Sequence, residues 1–152
     1  MEILIDLREK KPWTFSDARS RHPETEFTLT RTVLKTGDYS IRGLEEDFAI
    51  ERKGVKDFIN TLNQNQYRFY AELQRMNAMR FAAIVIESHL DLFTGGNKTV
   101  HDILRMSGDE NHFMQKMMTI KIGFPNIQWF FAADRRQAEY YTWRQMAFHA
   151  GR

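Results

Sequence analysis

The chain contains no cysteine. That absence removes disulfides, thiolate metal sites and cysteine nucleophiles together, and it suits a reducing compartment. Long apolar runs are missing too. The longest, Phe81 to Ile86, has the length of a strand and falls far short of the roughly 20 residues a membrane helix needs. The amino terminus, MEILIDLREKK, carries Glu2, Asp6, Arg8 and Glu9 within its first nine residues and does not read as a secretory leader. Excess charge of one sign is scarce: 22 Lys and Arg against 20 Asp and Glu leave a formal net charge of +2. The bulk basic field that would announce a nucleic-acid binder is therefore absent. Basic residues gather only locally, at Arg8 with Lys10 and Lys11, from Arg19 to His22, and at Arg135-Arg136.

What is present is a foldable core. Hydrophobic residues make up 42% and aromatics 13% of the 152 residues, enough for one globular domain. No internal repeat, low-complexity tract or linker interrupts it, so a single α/β domain over 1–152 is expected.

Ile3 to Leu7 is apolar except for Asp6, which predicts a strand covered on both faces. An aspartate there needs a partner, so Asp6 is either a site residue or a cap toward Lys10-Lys11. Residues 14–25 read as a short helix or loop. Phe27–Leu34, Asp38–Ile41 and Phe48–Lys53 alternate or are β-rich, and together predict a β-meander. The period then changes to 3.6, with Val55, Phe58, Ile59 and Leu62 on one helical face. A polar break at 63–66 precedes a second helix, Tyr67–Met79, whose other side carries Arg68, Glu72 and Arg75 at ion-pair spacing.

Phe81–Ile86 predicts a buried parallel strand closing a β-α-α-β unit. Thr94–Asn97 reads as a turn, Thr99 with Asp102 as a capping box for a short helix ending near Gly108, and Ser107 with Glu110 as the cap of the next helix. Gly123 and Pro125 stop that helix. A strand at Ile127–Phe131 follows, and Asp134 caps a last helix to about His149. The aromatics of that helix, Tyr140, Tyr141, Trp143 and Phe148, are destined either for the core or for a homodimer interface. His22, His89, His101, His112 and His149 show no ligand spacing.

The chemistry concentrates between Thr36 and Leu62. Residues i and i+2 of a strand share a face, so Glu51 and Lys53 point one way and Arg52 the other. A carboxylate beside an ammonium suits water activation next to a divalent ion, and oxygen-only ligation favours Mg²⁺ or Mn²⁺ over zinc. At least two carboxylates must converge, and Asp38, across one hairpin loop, is placed to be the second. An ERK triplet alone is common on exposed strands. Its combination with Gly37-Asp38, a hydrophobic lead-in, Asp57 in the following helix and Asp6-Leu7-Arg8-Glu9 upstream is specific.

That combination, Gly37-Asp38 followed by Glu51-Arg52-Lys53 and Asp57, resembles the signature of the XPF-type structure-specific endonucleases, a branch of the PD-(D/E)xK superfamily. Asp6 and Glu9 match the family's Asp-x-x-Glu, and Arg68-Phe69-Tyr70 resembles its arginine-led helix. The resemblance covers essentially the whole chain. It implies a restriction-endonuclease-like three-layer α/β/α fold with a central mixed sheet, and a Mg²⁺-dependent DNA endonuclease, with Mn²⁺ able to substitute, acting on branched or flapped DNA.

By matched position, Glu9, Asp38, Glu51 and the backbone carbonyl of Arg52 would ligate the metal. Lys53 would be the catalytic lysine, Asp6, Arg52 and Asp57 would orient the site, and Arg68, Lys10 and Lys11 would contact DNA. No membrane association or small-molecule cofactor is implied. The compartment would be a bacterial or phage-infected cytoplasm, or a eukaryotic nucleus. Many members carry tandem helix–hairpin–helix domains after the nuclease; none is read in residues 1–152, so DNA grip would come from loops, a second copy or a partner. The alternatives are another PD-(D/E)xK nuclease, such as a junction resolvase or restriction-type enzyme, and a non-catalytic DNA-binding partner subunit.

Overall fold

A strand buried from its second residue to its last must sit between neighbours, and β1 (Glu2–Asp6) does. The computed structural model describes residues 1–64, 66–87 and 110–151. The other strands are β2 (Thr28–Thr32), β3 (Tyr39–Ile41), β4 (Phe48–Gly54), β5 (Phe81–Glu87) and β6 (Ile127–Phe131). The helices are α1 (Ser16–Arg21), α2 (Val55–Gln64), α3 (Gln66–Asn77), α4 (Glu110–Gly123) and α5 (Arg135–Ala150). The expected turn at Thr94–Asn97, the capping box of Thr99 with Asp102, and Ser107 lie outside the described residues. So do the side chains of His89, His101 and His112.

The strands form one six-stranded mixed sheet in the order β2-β1-β3-β4-β5-β6. β4, β5 and β6 run parallel, joined between β4 and β5 by α2 and α3, as the change of period predicts. The expected meander is corrected. β1 lies between β2 and β3, parallel to the first and antiparallel to the second. The cause is burial: β1 needs cover on both edges, whereas β2 exposes Thr28, Leu29 and Arg31 and tolerates the sheet edge. The chain leaving β2 is pinned as it passes the end of β1, where the Asp6 carboxylate accepts from the Leu34 amide at 2.7 Å.

Each face of the sheet has its own core. On one, Ile3, Ile5, Tyr39, Ile50 and Val85 pack with Trp13 and Phe15 against Ala138, Trp143 and Met146 of α5. On the other, Ala82, Ile84 and Ile86 pack against Phe58, Leu62, Leu73, Met117 and Ile120 of α2, α3 and α4. This is the three-layer α/β/α arrangement. Among the described residues the second core draws no side chain from β1 or β3, and the polar side chains of the site gather beside that stretch.

The last helix settles its own aromatics. Trp143 is 2% exposed, and Tyr140 and Tyr141 pack on the first core; Phe148, at 55%, faces outward. The excess apolar surface that suggested a second copy is thus mostly covered internally. Asp134 caps α5 by accepting from the Gln137 amide at 2.8 Å, as expected. His22 stacks on Trp143 at 4.6 Å and bonds the Tyr140 hydroxyl at 2.9 Å, an aromatic-core role and not a ligand's. No helix among the described residues is long and apolar enough to cross a membrane.

Candidate active site

Alternation along β4 divides three adjacent charges. Glu51 and Lys53 emerge on the α2–α3 side, and the Lys53 ammonium donates to Glu51 Oε1 at 2.8 Å. Asp38 arrives from the turn before β3. Its amide donates to the Ile50 carbonyl at 2.9 Å, and its Oδ2 accepts from the Arg52 amide at 2.9 Å. Asp38, Glu51 and Lys53 together line two adjoining cavities. One, of about 330 Å³, is completed by Arg8, Gly37, Arg68, Phe69 and Glu72. The other, of about 440 Å³, is bounded by Glu9, Lys10, Lys11, Arg52 and Asp57. A larger cavity of about 750 Å³ near Met1, Arg19 and His22 contains none of these residues.

The electrostatics of this pocket are unbalanced. Burial, reinforced by the neighbouring charge of Glu51, pushes the Asp38 carboxyl up to about 8. Burial likewise raises Glu51, against the pull of Lys53. For Lys53, burial works against the ammonium, but the charge and hydrogen bond of Glu51 prevail and leave its pKa above the ordinary value. Burial makes it costly to ionise both carboxyls beside the single ammonium of Lys53, and a cation between them would offset that cost. Arg8 and Arg68 border the same cavity but are exposed.

Arg52 points to the opposite face. It donates to both oxygens of Glu87, at 2.7 and 3.0 Å, and to Glu9 Oε1 at 3.0 Å. Trp13 Nε1 also donates to Glu87 at 3.0 Å, and Arg135 lies 3.5 Å from it. Burial would raise the Glu87 carboxyl, but Arg52 more than offsets it and holds it below its usual value.

Of the expected ligands, Glu9, Asp38 and Glu51 all line the second cavity. Glu9 reaches it beyond the end of β1, and its Oε1 accepts from Arg52 at 3.0 Å and from the Lys11 amide at 2.8 Å. Among the described residues no group of three or more Asp, Glu, His or Cys is gathered tightly enough to hold a metal ion. Asp38 and Glu51 form the pair the fold does bring together. Two carboxylates suit Mg²⁺, which commonly takes one or two from the protein and completes its shell with water and phosphate oxygens. The oxygen donors and the unbalanced charge therefore fit a hard divalent cation.

Asp6 lies outside both cavities. It accepts from Arg8 Nε at 2.6 Å, from the Arg8 amide at 2.9 Å and from Leu34, so it braces the chain. Asp57 is exposed at the rim. Arg68 borders one cavity and Lys10 and Lys11 the other, all exposed. Sequence reasoning missed Glu87, a glutamate at a strand end, and read Glu72 and Arg75 as helix surface. Glu72 instead accepts from the Gly37 amide at 2.6 Å.

The sheet order, the two helical layers and the carboxylate–lysine pocket define a restriction-endonuclease-like α/β domain. The ERCC4 domain model matches residues 5–142, and the chain belongs to that family, as an XPF-type nuclease domain. Its fold is similar to XPF from Aeropyrum pernix, with a TM-score of 0.70 at 18% identity over 100% of this chain and 62% of that one. A structure of XPF from Aeropyrum pernix in complex with DNA gives a TM-score of 0.65 at 15% identity, covering 99% of this chain and 65% of that one. The chain thus spans under two thirds of the length of these relatives. No curated protein matches by sequence.

Proposed function

We propose that this domain is a Mg²⁺-dependent DNA endonuclease that hydrolyses phosphodiester bonds in branched or flapped DNA, with Mn²⁺ able to substitute. The observation that carries the reading is the Lys53 ammonium 2.8 Å from Glu51, in a cavity shared with Asp38. Asp38 and Glu51 would hold the cation, with the Arg52 carbonyl as a further ligand. When bound, it would acidify water and neutralise the phosphate. Lys53 would orient the attacking water and a phosphate oxygen, held in place by its bond to Glu51. Water oxygen attacks phosphorus and gives up a proton to solvent, the bond to the leaving sugar oxygen breaks, and that oxygen takes up a proton from solvent.

Glu9, which lines the second cavity with Asp38 and Glu51 and bonds Arg52, would be a further ligand by its matched position. Arg68 on one side and Lys10 and Lys11 on the other would contact the DNA backbone, which fixes register without reading bases. That XPF from Aeropyrum pernix forms a complex with DNA supports the choice of polymer. Self-association would be decided by light scattering at micromolar concentration, where a monomer removes the homodimer.

The test is cleavage of flap, fork, junction and plain duplex DNA in Mg²⁺, beside Glu51→Ala and Lys53→Ala. Wild-type cutting of branched substrates that both variants lose is expected. Equal cutting of plain duplex or RNA would favour a restriction-type or other PD-(D/E)xK enzyme. No cutting with any divalent ion, combined with intact DNA binding, would make the domain a non-catalytic partner.

A further inference from the structure

Asp38 depends on a turn that the sheet holds on only one side. Gly37 adopts φ +75, and a Cβ there would meet the Ile50 carbonyl oxygen at 3.0 Å and the Ala49 Cβ at 3.1 Å, so the turn is pressed against β4. The Asp38 backbone is fixed from the sheet, its amide bonded to Ile50 and its carbonyl accepting from the Asp6 amide at 2.8 Å. The opposite side is held by α3. Glu72 Oε1 accepts from the Gly37 amide, and Arg75 donates to Glu72 Oε2 and, through Nε, to the Thr36 hydroxyl at 3.2 Å. Thr36, Gly37, Glu72 and Arg75 close a ring over the turn, with Thr36 4% exposed.

An i,i+3 Glu–Arg pair on a solvated helix contributes a few tenths of a kcal/mol at most. Here each partner spends its other bond on the turn, 35 residues away for Glu72 and 39 for Arg75. A helix-surface role leaves those two bonds unexplained. Arg68, one turn earlier on α3, lines the same cavity as Glu72, so one helix carries both a DNA-contact candidate and the hold on the metal-site turn.

We propose that Glu72 and Arg75 are positioning residues that tether the Thr36–Asp38 turn to α3 and thereby set where Asp38 meets the divalent cation. This rests on the assignment of Asp38 and Glu51 as metal ligands. The tether acts before DNA arrives, so it is measurable without turnover.

Mn²⁺ binding is followed by calorimetry without DNA for the wild type, Asp38→Asn, Glu72→Ala, Glu72→Gln and Arg75→Ala, with thermal unfolding of each. Glu72→Ala should weaken Mn²⁺ binding by about ten- to a hundredfold, as loss of a ligand-orienting partner does. Glu72→Gln should restore most of it, because its amide oxygen still accepts from Gly37. Arg75→Ala should weaken binding less, in the same direction. Unchanged affinity in Glu72→Ala, or in Arg75→Ala should Glu72→Ala not fold, overturns the tether. Equal loss in the Gln and Ala variants also overturns it, since Glu72 would then act through charge alone. A wild type that binds Mn²⁺, loses it in Asp38→Asn and keeps it in Glu72→Ala breaks the tether only. A wild type that binds none sinks the metal-dependent reading and the tether with it.

Discussion

The two faces of β4 carry adjacent charges and treat them in opposite ways. On the Arg52 face each charge meets its complement: Arg52 with Glu87 and Glu9, and Glu87 again with Arg135 and the Trp13 indole. On the Glu51 face, Asp38 and Glu51 share the single ammonium of Lys53, and Asp38 is driven up to about 8. A matched network holds structure, whereas an unmatched buried one stores an affinity for whatever would neutralise it. One residue of offset along a strand separates the two, because successive side chains leave opposite faces.

The largest expected effect lies on the unmatched face. Lys53→Ala or Glu51→Ala should lower cleavage by about a thousandfold or more while leaving the fold intact, because the group works as a unit. Single-turnover rates beside far-ultraviolet circular dichroism check both halves of that statement. The matched face should answer in stability. Glu87→Ala leaves Arg52, which is 14% exposed, with Glu9 as its remaining partner, and should cost about 2 kcal/mol in urea unfolding, below the 3–5 typical of fully buried pairs. A similar loss for Lys53→Ala would erase the contrast between the faces.

A third effect is a pH dependence. Burial would raise the Asp6 carboxyl, but hydrogen bonds from Arg8 and the Leu34 amide outweigh it and hold it below its ordinary 3.8. The native state therefore takes up this proton less readily than the unfolded chain. The stabilisation is complete above the unfolded pKa and is lost as pH falls through the native one. Wild-type stability should drop more steeply below about pH 4 than that of Asp6→Asn. Parallel curves would place the acid sensitivity elsewhere. The smallest effect belongs to the surface: Arg136, 67% exposed, pairs with Asp17, and Arg136→Ala should change stability by under about 1 kcal/mol.

Local periodicity made much of this legible. The alternation that put Glu51 and Lys53 on one side holds, as do the apolar run of β5, the switch from strand to helix after Lys53, and the Asp134 cap. Strand order was not legible, because pairing β1 between β2 and β3 is a long-range outcome of burial that no window of residues contains. Glu87 escaped because a glutamate ending an apolar strand reads as solvated, and its partners Trp13 and Arg52 are 74 and 35 residues away. Glu72 escaped for a related reason: its spacing to Arg75 already supplied a sufficient local explanation. Glu9 was expected as a metal ligand by matched position alone; what spacing could not show is its bond to the Arg52 side chain.

Asp38 and Glu51 are the proposed ligands of the divalent cation. The most direct measurement is the thermal unfolding of the wild type and of the Asp38→Asn, Glu51→Gln double variant, with and without Mg²⁺. At a tenfold excess over the dissociation constant, binding should stabilise the wild type by about 1.4 kcal/mol and leave the double variant unmoved. A Mg²⁺ shift of equal size in both proteins, or in neither, would contradict that assignment.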